Sequence, residues 1–148
     1  MKGKLKKNIL IFFIAIVVIG AVTGYLQWNK PHRDVKGANA VAITAIELYK
    51  IFITDSVKAK AQYLNRVVEV SGEVQQVSVN QQKQQVILLK TGTPDAWVNC
   101  TMEENANNIK AGDAIMVKGI CSGYINGDID MGLPGDVFLV RCYVNLKK

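Results

Sequence analysis

The chain has a single histidine, His32, among its 148 residues. It lies in a short polar stretch, so a Ser-His-Asp or Cys-His site would need that stretch to fold back onto the rest of the chain. None of the three cysteines stands in a C-x-x-C pair, which argues against a zinc site or a thioredoxin motif. Glycine-rich phosphate loops of the Walker or dinucleotide type are missing. Asn126, Asp128 and Asp130 alternate like a calcium loop, but Met131 stands where such a loop needs glycine and no glutamate closes it. Glu103 and Glu104 are adjacent, and neighbouring residues on a helix do not face each other. The reading is therefore of no catalytic residue, no metal and no cofactor, with an enzyme of unrecognised type as the remote alternative.

Acidic residues are absent from the first 30 positions. The net charge of +6 comes mostly from there. Five of the 18 basic residues (Lys2, Lys4, Lys6, Lys7 and Lys30) precede Pro31, which leaves 13 basic against 12 acidic side chains in the rest. A nearly neutral remainder does not read as a phosphate-binding surface.

What is present is an uncharged run over residues 9–26, in which 12 of the 18 are Ile, Leu, Val or Phe. As a helix it would be about 27 Å long, close to the hydrocarbon thickness of a bilayer. Tyr25 and Trp28 stand where an interfacial aromatic belt belongs. Four lysines precede the run, while Lys30, Arg33 and Lys36 follow it, partly offset by Asp34. That balance favours a cytoplasmic N-terminus with the remainder outside. The expected organisation is a basic flank over 1–8, a transmembrane signal-anchor helix over 9–28, a linker over 29–41 and one domain over 42–148. A cleaved signal peptide and a secreted domain is the alternative.

Thr44 and Glu47 form a capping box, and Ile46, Tyr49, Ile53 and Val57 then follow on roughly one face. This predicts a helix over 45–53 and a second, capped by Asp55 or Ser56, to about Tyr63. From Arg66 the period changes to two: Val68, Val70, Gly72 and Val74 face one way. Val77 and Val79 are out of phase with them, so a bulge is expected at Gln75 and Gln76. Further strands are expected over 85–90, 96–102, 114–121 and 137–146, with a short helix over 103–110 and a Gly/Asp-rich loop over 122–136. The order β-β-β-α-β-β is that of a five-stranded OB-fold Greek-key barrel, here mostly β with a helical arm.

With these elements placed, the chain resembles the tRNA-anti-like family of OB-fold proteins. The resemblance rests on Thr44 to Leu48 (TAIEL), on Ala61 to Gly72 (AQYLNRVVEVSG) and on Val98-Asn99-Cys100. It rests also on Lys110 to Asp113 (KAGD), on Val117 to Gly123 (VKGICSG) and on Leu139 to Cys142 (LVRC). It covers about residues 42–144 and implies an OB fold, but it names no activity. The longer loop over 122–136 departs from the family pattern.

In such a barrel the third and fifth strands are parallel neighbours, so Cys100 and Cys142 would lie near each other. The cysteines are spaced by 21 and 21 residues, each in a predicted strand, and all are expected to point inward, Cys142 in phase with Phe138 and Val140. Outside the cytoplasm a Cys100–Cys142 disulfide is one reading, with Cys121 as an alternative partner; three reduced core thiols is the other. Lys83, Lys90, Trp97 and Tyr124 are the candidate ligand-face residues. The functional expectation is a non-enzymatic, membrane-anchored binding module of the envelope, for a protein, peptide or small molecule. A nucleic-acid-binding OB protein is the alternative, and one exposed aromatic on a glutamine-rich face weighs against it.

Overall fold

The computed structural model describes residues 2–28, 34–128 and 130–145, with side chains from Phe12 onward in the first of these. It divides into two compact units, Met1–Asp34 and Val35–Lys148. His32 and Leu146 lie outside the described residues.

The first unit holds α1, Lys2–Trp28. Its described side chains are exposed throughout and overwhelmingly apolar, Phe12 at 67% and Trp28 at 94% among them. Among the described residues no helix is long and apolar enough to cross a membrane. The transmembrane helix expected over 9–28 is thus unsupported by the structure.

The second unit opens on Val35, which the sequence placed in the linker and which is buried at 2% exposure. Lys118 Nζ donates to the Lys36 carbonyl at 2.8 Å, and Lys36 Nζ pairs with Glu104 at 2.8 Å and lies over the Tyr143 ring. The chain then forms β1 (Val41–Thr44), α2 (Ala45–Thr54) and α3 (Ser56–Tyr63). The strands β2 (Val67–Val79), β3 (Gln85–Lys90), β4 (Trp97–Met102), β5 (Ala114–Ile125) and β6 (Asp136–Val144) follow.

The strand order is β1-β2-β3-β4-β6-β5, and a further β2–β5 pairing closes the last five into a barrel. One long strand makes closure possible. The first half of β2 pairs with β5 from Val67↔Ile120 to Glu73↔Ala114, and its second half pairs with β3 from Val74↔Leu89 to Val79↔Gln85. The register shifts between Val74 and Gln76, at the bulge that the slip in hydrophobic phase signals. As expected, β4 and β6 run parallel. β1 adds in parallel beside Val68–Ser71, a strand that the sequence reading does not contain.

Both sides of the capping box form: Thr44 Oγ1 accepts from Glu47 N–H at 3.1 Å, and Glu47 Oε2 accepts from Thr44 N–H at 3.2 Å. The buried face of α2, Leu48, Tyr49 and Phe52, packs into the same core as Val68, Val70, Val74, Ile87, Leu89 and Val98.

Two expectations are corrected. Residues 103–110 form bends and turns, not a helix. Glu103 N–H is taken by the Cys142 carbonyl, the Gln85 side chain bonds Ala106 through both its N–H and its carbonyl, and Asn108 sits at φ 65°. These contacts hold the segment in a form that helical hydrogen bonding cannot share. On β6, Val137, Leu139 and Cys142 are buried while Phe138 and Val140 are not. The phase slips at Arg141, at φ 55°, where two β4 steps (Cys100 to Met102) oppose three on β6 (Leu139 to Cys142).

Candidate functional site

A concavity of about 710 Å³ lies where β2 bends. Its walls come from five places in the chain: Thr44–Ile46, Ser71–Glu73, Lys90 with Gly92, Ala114–Met116, and Asn145. Gly72 makes the bend tight enough to bring them together. A Cβ at Gly72 would lie 3.1 Å from Ala45 Cβ and 3.3 Å from Leu89 Cβ, so glycine lets the first turn of α2 close against the strand. The lining is chiefly apolar, from Ala45, Ile46, Ala114, Ile115 and Met116. Lys90 Nζ forms an ion pair with Glu73 across it.

Lys90 and Gly92 also line a smaller recess of about 200 Å³ with Gln75, Thr91, Pro94 and Trp97. Lys90 and Trp97 are direct cross-strand partners. The two recesses therefore form one surface that runs from Trp97 over the Lys90–Glu73 pair to Met116. Trp97 is held by its own backbone, whose N–H donates to Asp136 Oδ1 at 2.8 Å.

Of the four ligand-face residues named from sequence, the fold brings Lys90 and Trp97 together. Lys83 lies in the β2–β3 turn at φ 62°, at the opposite end of β3. Tyr124 belongs to the core edge: its ring stacks on Phe52 at 6.2 Å and meets Tyr49 edge-on at 6.2 Å. The sequence reading missed the groove residues of β1, α2 and β5. No local signal marks them, because only the β2 bend makes them neighbours.

All three cysteines are free and buried. The Cys100 thiol donates to the Val98 carbonyl at 3.8 Å. Burial raises both the Cys121 and the Cys142 thiols above the ordinary range. Among the described residues no group of His, Cys, Asp and Glu side chains is arranged to hold a metal. Asp128 instead caps its own turn, with Oδ1 accepting from Asp130 and Met131 N–H at 3.0 and 3.2 Å. No buried side-chain nitrogen or oxygen among the described residues lacks a hydrogen-bond partner.

Burial raises the Asp136 carboxyl above its ordinary value, against the opposing pull of the Trp97 N–H. A carboxyl whose folded-state pKa is raised favours the protonated folded form. Its effect on stability is nil well below the unfolded pKa and becomes a penalty as pH rises through the folded value. Asp136→Asn keeps an oxygen to accept from Trp97 and removes that penalty. We expect the variant to match the parent in thermal unfolding near pH 3 and to be as stable or more stable near pH 7. A variant that loses stability only at the higher pH would contradict this sign.

The five-strand closure with its long bent first strand defines an OB-type barrel. The tRNA_anti-like family model matches residues 1–132, and the chain belongs to that family. No curated protein matches the chain. Among solved structures, a protein described as an aspartyl-tRNA synthetase from Leishmania major Friedlin is similar at 8% identity with a TM-score of 0.44. The match covers 84% of this chain and 25% of that one, so the chain spans about a quarter of that protein's length.

Proposed function

We propose that this chain is a non-enzymatic binding module of the cell envelope, anchored by its N-terminal helix with the barrel outside the cytoplasm. Its ligand, a protein segment, peptide or small molecule with an apolar face, lies along the groove from Trp97 to Met116. The observation that carries this reading is the groove itself: a chiefly apolar concavity of about 710 Å³ crossed by one ion pair, with no metal cluster among the described residues. Such a surface gains by covering apolar area and offers little to a phosphate backbone. The anchor is supported by the uncharged run over residues 9–26 and by the exposed apolar side chains of α1, which water solvates poorly.

The test is photocrosslinking of the full chain in cells from a probe at Ala114 or Met116, with a probe at Val79, outside the groove, as control. Discrete adducts from the groove positions alone are expected. Trp97→Ala combined with Lys90→Ala should reduce them about tenfold. Identical adducts from Val79 would overturn the groove as the site. Tight, salt-dependent capture of single-stranded oligonucleotide by the full chain in detergent would replace the reading with a nucleic-acid one. A topology reporter fused after Lys148 tests location separately.

A further inference from the structure

We propose that the outer face of α3, with the β5–β6 surface beside it, is a peripheral membrane contact that takes an anionic lipid bilayer. The face follows from the helix period. Ala59 and Tyr63 are the buried residues of α3 and belong to the core. Val57 and Ala61, four residues apart, therefore fall on the opposite side. Val57 is 79% exposed. Lys58 and Lys60 flank that stripe, one on each side, and both are exposed. α3 has no acidic residue, and among the described residues neither lysine pairs with a carboxylate.

The apolar surface continues onto the barrel. Leu64, at the C-terminal end of α3, lies against Gly123, where a Cβ would stand 3.3 Å from Leu64 Cδ1. Leu64, Ile125, Phe138 and Val140 line one recess of about 460 Å³ together with Lys60. Ile125 is 62% exposed. No aspartate or glutamate lines this recess. The carboxylates nearest in sequence, Asp55, Asp128 and Asp136, each accept from a backbone N–H. The recess shares no lining residue with the groove from Trp97 to Met116.

The residue types choose the partner. Exposed aliphatic side chains scattered singly are ordinary, but here several share one rim with two lysines. Protein interfaces gather aromatic residues and arginine and are poor in lysine. Aliphatic residues flanked by lysines are instead the make-up of helices that lie in a bilayer interface. The apolar side chains leave water for the acyl boundary, while each ammonium stays among the lipid phosphates. Access to a bilayer in the cell rests on the anchored placement proposed above; the chemistry of the face does not.

The experiment places a nitroxide on the full chain at Val57→Cys or Ile125→Cys. The native cysteines are buried and stay unlabelled without denaturant. The chain is reconstituted into vesicles of phosphatidylcholine alone or mixed equally with phosphatidylglycerol. Collisions with oxygen, which concentrates in lipid, are compared with collisions with a water-soluble nickel chelate. On mixed vesicles both labels should pass from chelate-accessible to oxygen-accessible, while a label at Val79→Cys stays in water. On phosphatidylcholine alone all three should stay in water. Lys58→Gln with Lys60→Gln should lower the ratio of bound to free face about 25-fold, or about fivefold per lysine. Molar salt should act the same way, and Lys58→Arg with Lys60→Arg should keep the contact.

Labels at Val57 and Ile125 that stay in water on mixed vesicles would overturn the proposal. Equal burial on both vesicle types, or equal burial of the Val79 label, would do the same. Coupling between the labels of two copies on phosphatidylcholine would give the face to a second copy and also overturn it. A label at Ile16→Cys, in α1, reads the anchor separately. If that label stays in water, the anchored reading falls, and cosedimentation with the two vesicle types decides the face. Retention by mixed vesicles alone supports it; retention by both or by neither overturns it.

Discussion

Replacing Phe52 by alanine is expected to cost about 4 kcal/mol of stability and to lower the unfolding midpoint by roughly 15 °C. The ring is only 1% exposed, packs from α2 into the strand core and stacks on Tyr124. Removing it leaves a cavity where helix meets strands, and the barrel walls cannot collapse into it without breaking ladder pairs. Phe52→Leu should keep most of the stability, because volume is largely conserved. Ile53, the next residue along, is 52% exposed, and Ile53→Ala should change stability by less than about 0.5 kcal/mol. Denaturant unfolding of the full chain in detergent, followed by circular dichroism, measures all three. A Phe52→Ala cost as small as that of Ile53→Ala would mean that α2 does not plug the barrel.

Gly119→Ala is expected to be almost as damaging, at about 3 kcal/mol, although it adds one methyl group. The added carbon would lie 2.5 Å from Cys142 Sγ, 3.3 Å from the Val140 carbonyl and 3.5 Å from Cys142 Cα. The first neighbour is a fully enclosed sulfur two bonds from its own backbone, and the other two are backbone atoms. None can move aside alone. If the sulfur is the main obstacle, Cys142→Ala in the same chain should restore roughly half of the loss, a coupling that a double-mutant cycle reads directly. Additive losses would place the strain in the β5–β6 backbone instead.

The legible parts of this fold are those where one face of an element is buried along its whole length. Val68, Val70 and Val74 announce β2, and the slip to Val77 announces its bulge, because burial on one side forces strict alternation. The capping box at Thr44 and Glu47 is legible because its chemistry is local. β1 is not legible: Val41–Thr44 is a mostly exposed edge strand, so nothing enforces a period. Residues 103–110 carry a helix-like acidic start, but Gln85 and Cys142, distant in sequence, hold them in another shape. The Arg141 bulge hides in a run of apolar residues, where Phe138 and Val140 seem as suited to the core as Leu139. The candidate site divides the same way. Lys90 and Trp97 are found because they sit on strands whose pairing the sequence implies, whereas Ala114–Met116 and Thr44–Ile46 join them only through the β2 bend.

The double pairing of β2 also sets an order of assembly. Its second half meets β3 across a short turn, and β3 meets β4 soon after, so a three-stranded sheet is complete once Met102 has been made. The first half of β2 has no partner on its β5 side until residues 114–120 follow. Until then the growing chain carries an open strand edge rich in valine, the kind of edge that sticks to its like. Ring closure is therefore a late, long-range step, slower than the local hairpins that precede it. The nascent chain is most exposed to aggregation in the interval between Met102 and Ile120.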